Sequence, residues 1–275
     1  PFINDSTATE ISNLSLQDAI PIFGATAATS SPPAAAATTS PSTALTAILP
    51  AAPLTVGSVS GVETAFLPRH RRDHEYPPHK VPYRANVWAM KELGVSCVIG
   101  PCAVGSLTRN YEPGHFVVCD QLVDRTTQRA TTFFDGPETR HLSFAEPYNE
   151  ALRRLAVESM HQAGATVHNG GTVVVVEGPR FSTRAESEAY RSWNVDVIGM
   201  TNLQEAKLAR EAEICYATMA MITDYDCWHE EEEAVSGEAV MEVVRQNAST
   251  AQDVVRRIIR RLPVERSCGC GDALG

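Results

Sequence analysis

No apolar run in this chain approaches the roughly 20 residues that span a bilayer, and no charged N-terminal stretch runs into an apolar one in the manner of a signal peptide. Those absences predict a protein of the aqueous, cytoplasmic compartment. Excess positive charge is missing as well: 23 Lys and Arg stand against 33 Asp and Glu, a formal net charge of −10. That balance argues against coating of nucleic acid or of an anionic membrane, because phosphate backbones are held by Lys and Arg. An anionic ligand would need a local cationic site. Cysteine occurs at 7 positions, an odd number without scaffold spacing, which predicts reduced thiols rather than a disulfide framework. Cys268 and Cys270, in Ser-Cys-Gly-Cys-Gly, are too few and too close for a closed zinc site, and residues 264–275 are expected to form a flexible tail. His70, His74 and His79 share a loop with two prolines and lack a His-Glu-x-x-His frame. No metal is expected.

What is present is enough for a sizeable core: 275 residues, 43% of them apolar. The texture is uneven. From Ala25 to Pro53 nearly every residue is Ala, Thr, Ser or Pro, a composition that buries little apolar surface against its ordering entropy. Residues 1–53 are therefore expected to be a poorly ordered or aberrant segment, with a short helix within 1–22 and no strand before Leu54. From Leu54 the pattern becomes that of an α/β domain, extending to residue 263.

Residues 54–59 and 62–68 read as strands joined by the tight turn Ser60-Gly61. A charged loop follows, with Arg69, His70 and Arg72, and its prolines forbid regular structure. Helices are expected at 86–93, 146–163, 186–193, 203–213 and 236–262, the last capped by Ser236. Strands are expected at 96–103, 115–123, 172–176, 195–200 and 215–222. This alternation predicts a three-layer α/β fold, a mixed central sheet flanked by helices.

Four strand ends offer chemistry. Arg69 and His70 end a strand, where an arginine fork is suited to an anion; a solvated basic loop is the plain alternative. The turn 177–182 aims Phe181 and Ser182 in one direction, an aromatic face and a hydroxyl fit for a planar base, although core packing is the commoner fate of a Phe. Met200 and Thr201 add an adaptable apolar wall and a hydroxyl. Asp224 and Asp226, spaced i, i+2, terminate the apolar strand 215–222. In α/β proteins the ends of strands are where ligands are held. The inventory suits an anion at one end of a pocket and a nitrogen heterocycle at the other.

Taken in order, Arg69-His70, Gly105-Ser106-Leu107, Asp124-Arg125-Thr126-Thr127, Glu177-Gly178-Pro179-Arg180-Phe181-Ser182, Met200-Thr201 and Thr223-Asp224-Tyr225-Asp226-Cys227-Trp228 resemble the methylthioadenosine phosphorylase branch of the trimeric purine nucleoside phosphorylase family. The resemblance runs from about residue 54 to 263. It implies a nucleoside-phosphorylase fold, phosphorolysis of methylthioadenosine to adenine and 5-methylthioribose 1-phosphate, inorganic phosphate as co-substrate, no cofactor, and a homotrimer. Carried over, it puts Arg69, with His70 beside it, and Thr201 at phosphate, Cys102 where relatives often have a phosphate-binding Thr, Met200 at the ribose, and Phe181 and Ser182 at the base. Asp224 would protonate or hydrogen-bond N7 of the leaving purine, with a pKa raised by burial, and Asp226 would hold the 6-amino edge. His141 would be lent to a neighbouring subunit's sugar pocket.

The chain also departs from that pattern. The family's first strand, ending in a Gly-Gly-Ser/Thr-Gly phosphate turn, has no counterpart before Leu54, and Arg71 stands where the family has Gly. Two alternatives remain open on sequence: a 6-oxopurine nucleoside phosphorylase, and a catalytically impaired homologue that still binds purines.

Overall fold

The structure, a computed structural model, describes residues 21–26 (backbone only), 50–71, 73–229, 236–263 and 266–275. Arg72 and the expected helix within 1–22, up to residue 20, lie outside the described residues.

The domain is built around β10 (Cys215–Asp224), whose side chains are buried on both faces of the sheet. Cys215, Ala217, Met219 and Met221 point into one core, and Tyr216, Ala220 and Ile222 into the other, as a period of two requires of a strand covered on both sides. β10 runs parallel to β4 (Cys97–Ser106) in register, Cys215 beside Cys97 through Ile222 beside Val104. On the other side it pairs with β5 (Phe116–Val118), which pairs with β7 (Val167–Asn169).

Beyond β4 come β1 (Pro21–Thr26), β3 (Val62–Pro68) and β2 (Thr55–Val59), all antiparallel to their neighbours. β2 and β3 form the expected hairpin, and Ser60 and Gly61 both take positive φ, 56° and 84°, as a tight right-twisted hairpin turn demands. A second branch leaves the end of β4 through β9 (Val197–Gly199), then β8 (Thr172–Val176) and β6 (Gln121–Arg125).

α2 (Glu150–Gln162) and α5 (Gly237–Arg261) close one face, through Leu152, Met160, Val254 and Ile258. α1 (Tyr83–Glu92) and α4 (Asn202–Glu211) close the other, through Val87, Met90, Leu203 and Leu208. α3 (Arg184–Ser192) packs Tyr190 beside Val174 and Ile198. The helix starts follow from side-chain capping: Asn149 accepts from the Leu152 N–H, Thr183 and Glu186 form a reciprocal box, and Ser236 accepts from the Ala239 N–H. The expected three-layer architecture is what the chain adopts.

The expected strand at 115–123 is two, β5 and β6, and the expectations for both ends of the chain need correction. Residues 21–26 are a strand, inserted between β3 and β4 with six register pairs to the first and three to the second. A short segment between two strands has its backbone groups satisfied on both sides, so its weak side-chain pattern does not decide its state. The tail is also packed: Gly269–Asp272 forms a 3-10 turn, Cys270 is buried against the sheet, and Arg140 donates to the Leu274 carbonyl. Among the described residues, no helix is long and apolar enough to cross a membrane.

Candidate active site

The ends of β3, β4 and β10, the turns after β8 and β9, and the first turns of α5 enclose a cavity of about 740 Å³, within the range of small-ligand sites. Nine of the ten candidate residues line it: Arg69, His70, Cys102, Phe181, Ser182, Met200, Thr201, Asp224 and Asp226. His141 does not; it lies exposed on an irregular stretch outside the cavity.

At one end, a register shift between Ile222 and Asp224 turns the last residue of β10 beside Gly105 of β4, the kind of irregularity that re-aims a side chain. The Asp224 carboxylate accepts the Thr223 hydroxyl on Oδ2 at 2.7 Å and the Asp226 backbone N–H on Oδ1 at 2.8 Å. A Cβ on Gly105 would stand 2.8 Å from Oδ1, so only glycine leaves room for this carboxylate. Asp226 is the more buried acid, and burial, followed by the neighbouring Asp224 charge, pushes its carboxyl above the usual range. Trp228 takes no part in the lining: its Nε1–H donates to the Ser106 carbonyl at 2.7 Å, and Arg191 stacks on its ring.

At the other end, Arg69 is 1% exposed and its fork is already engaged. Nε and Nη2 donate to Glu205 at 2.5 and 3.0 Å, and Nη1 to the Pro101 carbonyl at 2.5 Å. Glu205 also accepts the Tyr216 hydroxyl at 2.7 Å. Burial opposes the Arg69 charge, but the Glu205 carboxylate outweighs it and the guanidinium stays protonated. Arg69 thus enters the cavity as half of a buried ion pair rather than as an open anion fork. The Nδ1–H of His70 donates to the Tyr76 carbonyl at 2.7 Å, because a carbonyl only accepts. Burial and then Arg69 hold His70 neutral, its pKa lowered to about 3. Cys102 is buried, its thiol 3.4 Å from the Thr218 hydroxyl, and burial pushes that thiol up. Arg71 does adopt φ of +64°, the left-handed conformation that favours Gly, while its side chain leaves the site to bond the Ala51 carbonyl and Glu75.

Between the two ends, β9 runs antiparallel to the end of β4, Ile198 beside Gly105, and the turn after it brings Met200 and Thr201 to the cavity wall. From Cys102 to Gly105 is about 10 Å of strand. Phe181 is 41% exposed, a large aromatic left open at a cavity wall rather than packed in the core. The turn before it holds Gly178 at φ of +63°, where a Cβ would meet the Met200 sulfur at 2.6 Å.

Sequence reasoning missed several contributors. Arg129, its side chain buried in the loop after β6, donates to the carbonyls of Met200, Val176 and Glu177 and to Gln204, tying the turns after β8 and β9 together. Glu205, in the first turn of α4, falls among core positions, and a carboxylate there was the available signal. Val240, Met241 and Val244 of α5 supply an apolar wall; their i, i+1, i+4 spacing marked a buried face but not a ligand.

Paired carboxylates, an aromatic wall and a buried arginine thus meet in one cavity at the strand ends of an α/β fold. The model of the phosphorylase superfamily matches residues 33–260, and the chain belongs to that superfamily. It is 48% identical over 225 residues to the S-methyl-5'-thioadenosine phosphorylase of Pyrococcus abyssi, covering 82% of this chain and 86% of the relative. With that of Geobacter sulfurreducens it shares 49% over 226 residues, 82% and 79% of the two chains. Among solved structures, the methylthioadenosine phosphorylase of Schistosoma mansoni in complex with adenine superposes with a TM-score of 0.76 at 34% identity, covering 80% of this chain and 83% of the other. One from an antarctic soil metagenomic library gives 0.77 at 42%, covering 80% and 78%. Its place within the superfamily is with the S-methyl-5'-thioadenosine phosphorylases.

Proposed function

We propose that this chain is a cytoplasmic pentosyltransferase that cleaves the N-glycosidic bond of S-methyl-5'-thioadenosine with inorganic phosphate, releasing adenine and 5-methylthioribose 1-phosphate. The observation that supports this most is the convergence on one cavity of the Asp224–Asp226 pair, the buried Arg69–His70 end about 10 Å along β4, and the apolar wall of α5.

The chemistry assigns each group a task. Cleavage develops positive charge on the sugar, which an incoming phosphate stabilises electrostatically. Arg69, His70, Cys102 and Thr201 would meet that phosphate. With Nδ1–H given to the Tyr76 carbonyl, Nε2 of neutral His70 is an acceptor, suited to a phosphate hydroxyl. A purine leaves poorly as an anion, so Asp224 would deliver a proton or hydrogen bond to N7. Asp226, beside it, would accept from the 6-amino group, where a 6-oxo purine would present a repelled acceptor. Met200 would pack on the ribose, and Phe181 with Ser182 would border the base. Val240, Met241 and Val244 suit a methylthio substituent better than a hydroxyl, since burying an unpaired hydroxyl costs about 1–3 kcal/mol. His141, outside the cavity of its own chain, would reach the sugar pocket of a neighbour in a homotrimer.

Adenine release from S-methyl-5'-thioadenosine by the purified chain, dependent on phosphate, tests this reading. No release at saturating phosphate would remove the activity, and faster cleavage of inosine would reassign the base specificity.

A further inference from the structure

At the opposite end of the sheet from the cavity, three cysteine sulfurs come together beside a fourth cysteine on the neighbouring strand. Cys97 and Cys215 are the first residues of β4 and β10 and are register partners, so their side chains leave the same face of neighbouring strands. The C-terminal Cys-Gly-Cys turn folds back onto them. The Cys215 and Cys268 sulfurs are 3.3 Å apart, and those of Cys215, Cys268 and Cys270 all lie within 4.8 Å of one another. Cys215 is the hub: Cys268 and Cys270 gather about its sulfur, and Cys97 stands beside it on the neighbouring strand.

We propose that Cys215, Cys268 and Cys270, completed by Cys97, form a structural site for one thiophilic d10 metal ion of the zinc type, which staples the C-terminal residues to the base of the sheet. Two ligands from adjacent strands and two from a Cys-x-Cys turn form a closed four-sulfur set. Tetrahedral ligation at Zn–S distances of about 2.3 Å separates the sulfurs by about 3.8 Å, so the spacings among Cys215, Cys268 and Cys270 need adjustments of only about 1 Å, and Cys97 would close onto them from the neighbouring strand.

The surroundings fit the charge of such a centre. The Asn149 side-chain N–H donates to the Cys270 sulfur at 3.4 Å, the outer hydrogen bond that metal thiolates usually have. Arg266 lies against Gly271 and is fixed by the Glu213 carbonyl at 2.7 Å, placing a cation beside the cluster. The cluster sits in the apolar layer between the sheet, α2 and α5, which limits competition by water. A metal cation replaces the thiol protons of its ligands, so loading would release protons and weaken as pH falls. From Cys97 to Gly105 is about 26 Å of strand, so the metal would act on stability and not on the reaction.

The test uses the full chain, reduced with a phosphine, desalted without oxygen and titrated with Cd(II) and then Zn(II). A saturable thiolate-to-cadmium ultraviolet band at about one equivalent per chain is expected, with zinc displacing it and raising the unfolding midpoint. Cys268→Ser should weaken binding by at least about 10- to 100-fold, the loss that even outer partners cause, while phosphorolysis is retained as evidence of folding. In the unaltered protein, zinc should shield all four cysteines from alkylation, a readout that requires no variant. A missing band, a band unchanged in Cys268→Ser, or unshielded cysteines would overturn the proposal. So would a disulfide among these residues with no metal uptake after its reduction.

Discussion

The backbone N–H of Asp226 donates to Oδ1 of Asp224 at 2.8 Å, with Asp226 itself at a φ of +50°. One carboxylate is thereby oriented by the backbone of the next, and the less buried of the two faces the cavity with a fixed direction. Replacing Asp224 by Asn keeps the shape and removes the acid. Turnover should fall by about 10²–10⁴-fold, the usual share of general acid catalysis, with a small change in KM because the group acts on the leaving purine. Steady-state adenine release at saturating phosphate measures it, and an unchanged kcat would exclude the role.

The same relationship makes Gly105 sensitive. A methyl group there would stand 2.8 Å from Asp224 Oδ1, inside van der Waals contact. Gly105→Ala should lower kcat by displacing the carboxylate, with a stability loss of about 1–3 kcal/mol, typical of overpacking. Retained kcat, in a variant whose unfolding midpoint has dropped, would show that the acid does not depend on this gap.

Glu205→Gln probes the proposed phosphate end. The substitution keeps the side-chain size but turns one of the two accepting oxygens into a donor and leaves Arg69 as a buried cation without its counter-charge, a change that costs about 3–5 kcal/mol. Phosphate should then stabilise the variant against heat more than it stabilises the parent, because the anion replaces the lost charge. Thermal unfolding with and without phosphate gives the comparison. Equal shifts in the two proteins would place phosphate away from Arg69.

The acid limb of stability should carry the mark of His70. The unfolded imidazole binds a proton near its usual pKa of 6.5 while the folded one resists until about 3. Its contribution is complete above pH 6.5 and is lost as pH falls through that window, about 2 kcal/mol between roughly pH 7 and pH 5. His74, also lowered by burial and Arg69, acts in the same direction, and the raised Asp226 carboxyl opposes both at lower pH. Urea midpoints across this range should slope less in His70→Asn than in the parent; parallel slopes would contradict the assignment.

Much of this was legible because it is local. The β-branched run Thr172–Val176 and the hairpin at Ser60-Gly61 declare themselves through composition and period, and nine of the ten candidate residues end at one cavity because strand ends are where an α/β sheet gathers side chains. What was not legible is non-local. Residues 115–123 look like one strand, but β5 pairs with β10 and β7 whereas β6 pairs with β8, and the change of partner breaks the chain between them. The strand state of residues 21–26 is fixed by β3 and β4 on either side, not by its own pattern. Arg69 reads as an anion fork until Glu205, 136 positions away, takes up its donors.

The proposed sharing of the site between subunits makes a prediction about mixtures. Asp224→Asn lacks its own acid and His141→Ala would lack the residue lent to a neighbour, so each alone should be weak. Trimers reassembled from both should regain activity in those pockets that combine an intact Asp224 with an intact neighbouring His141. Mixtures no more active than the average of the two variants would confine the site to one chain.

The most direct measurement is product analysis of the purified full chain given S-methyl-5'-thioadenosine and phosphate, with inosine in a parallel reaction. Adenine and 5-methylthioribose 1-phosphate in equal amounts, formed only with phosphate and faster than inosine is cleaved, is the predicted result. Free adenine without phosphate, no adenine at all, or a preference for inosine would contradict the account.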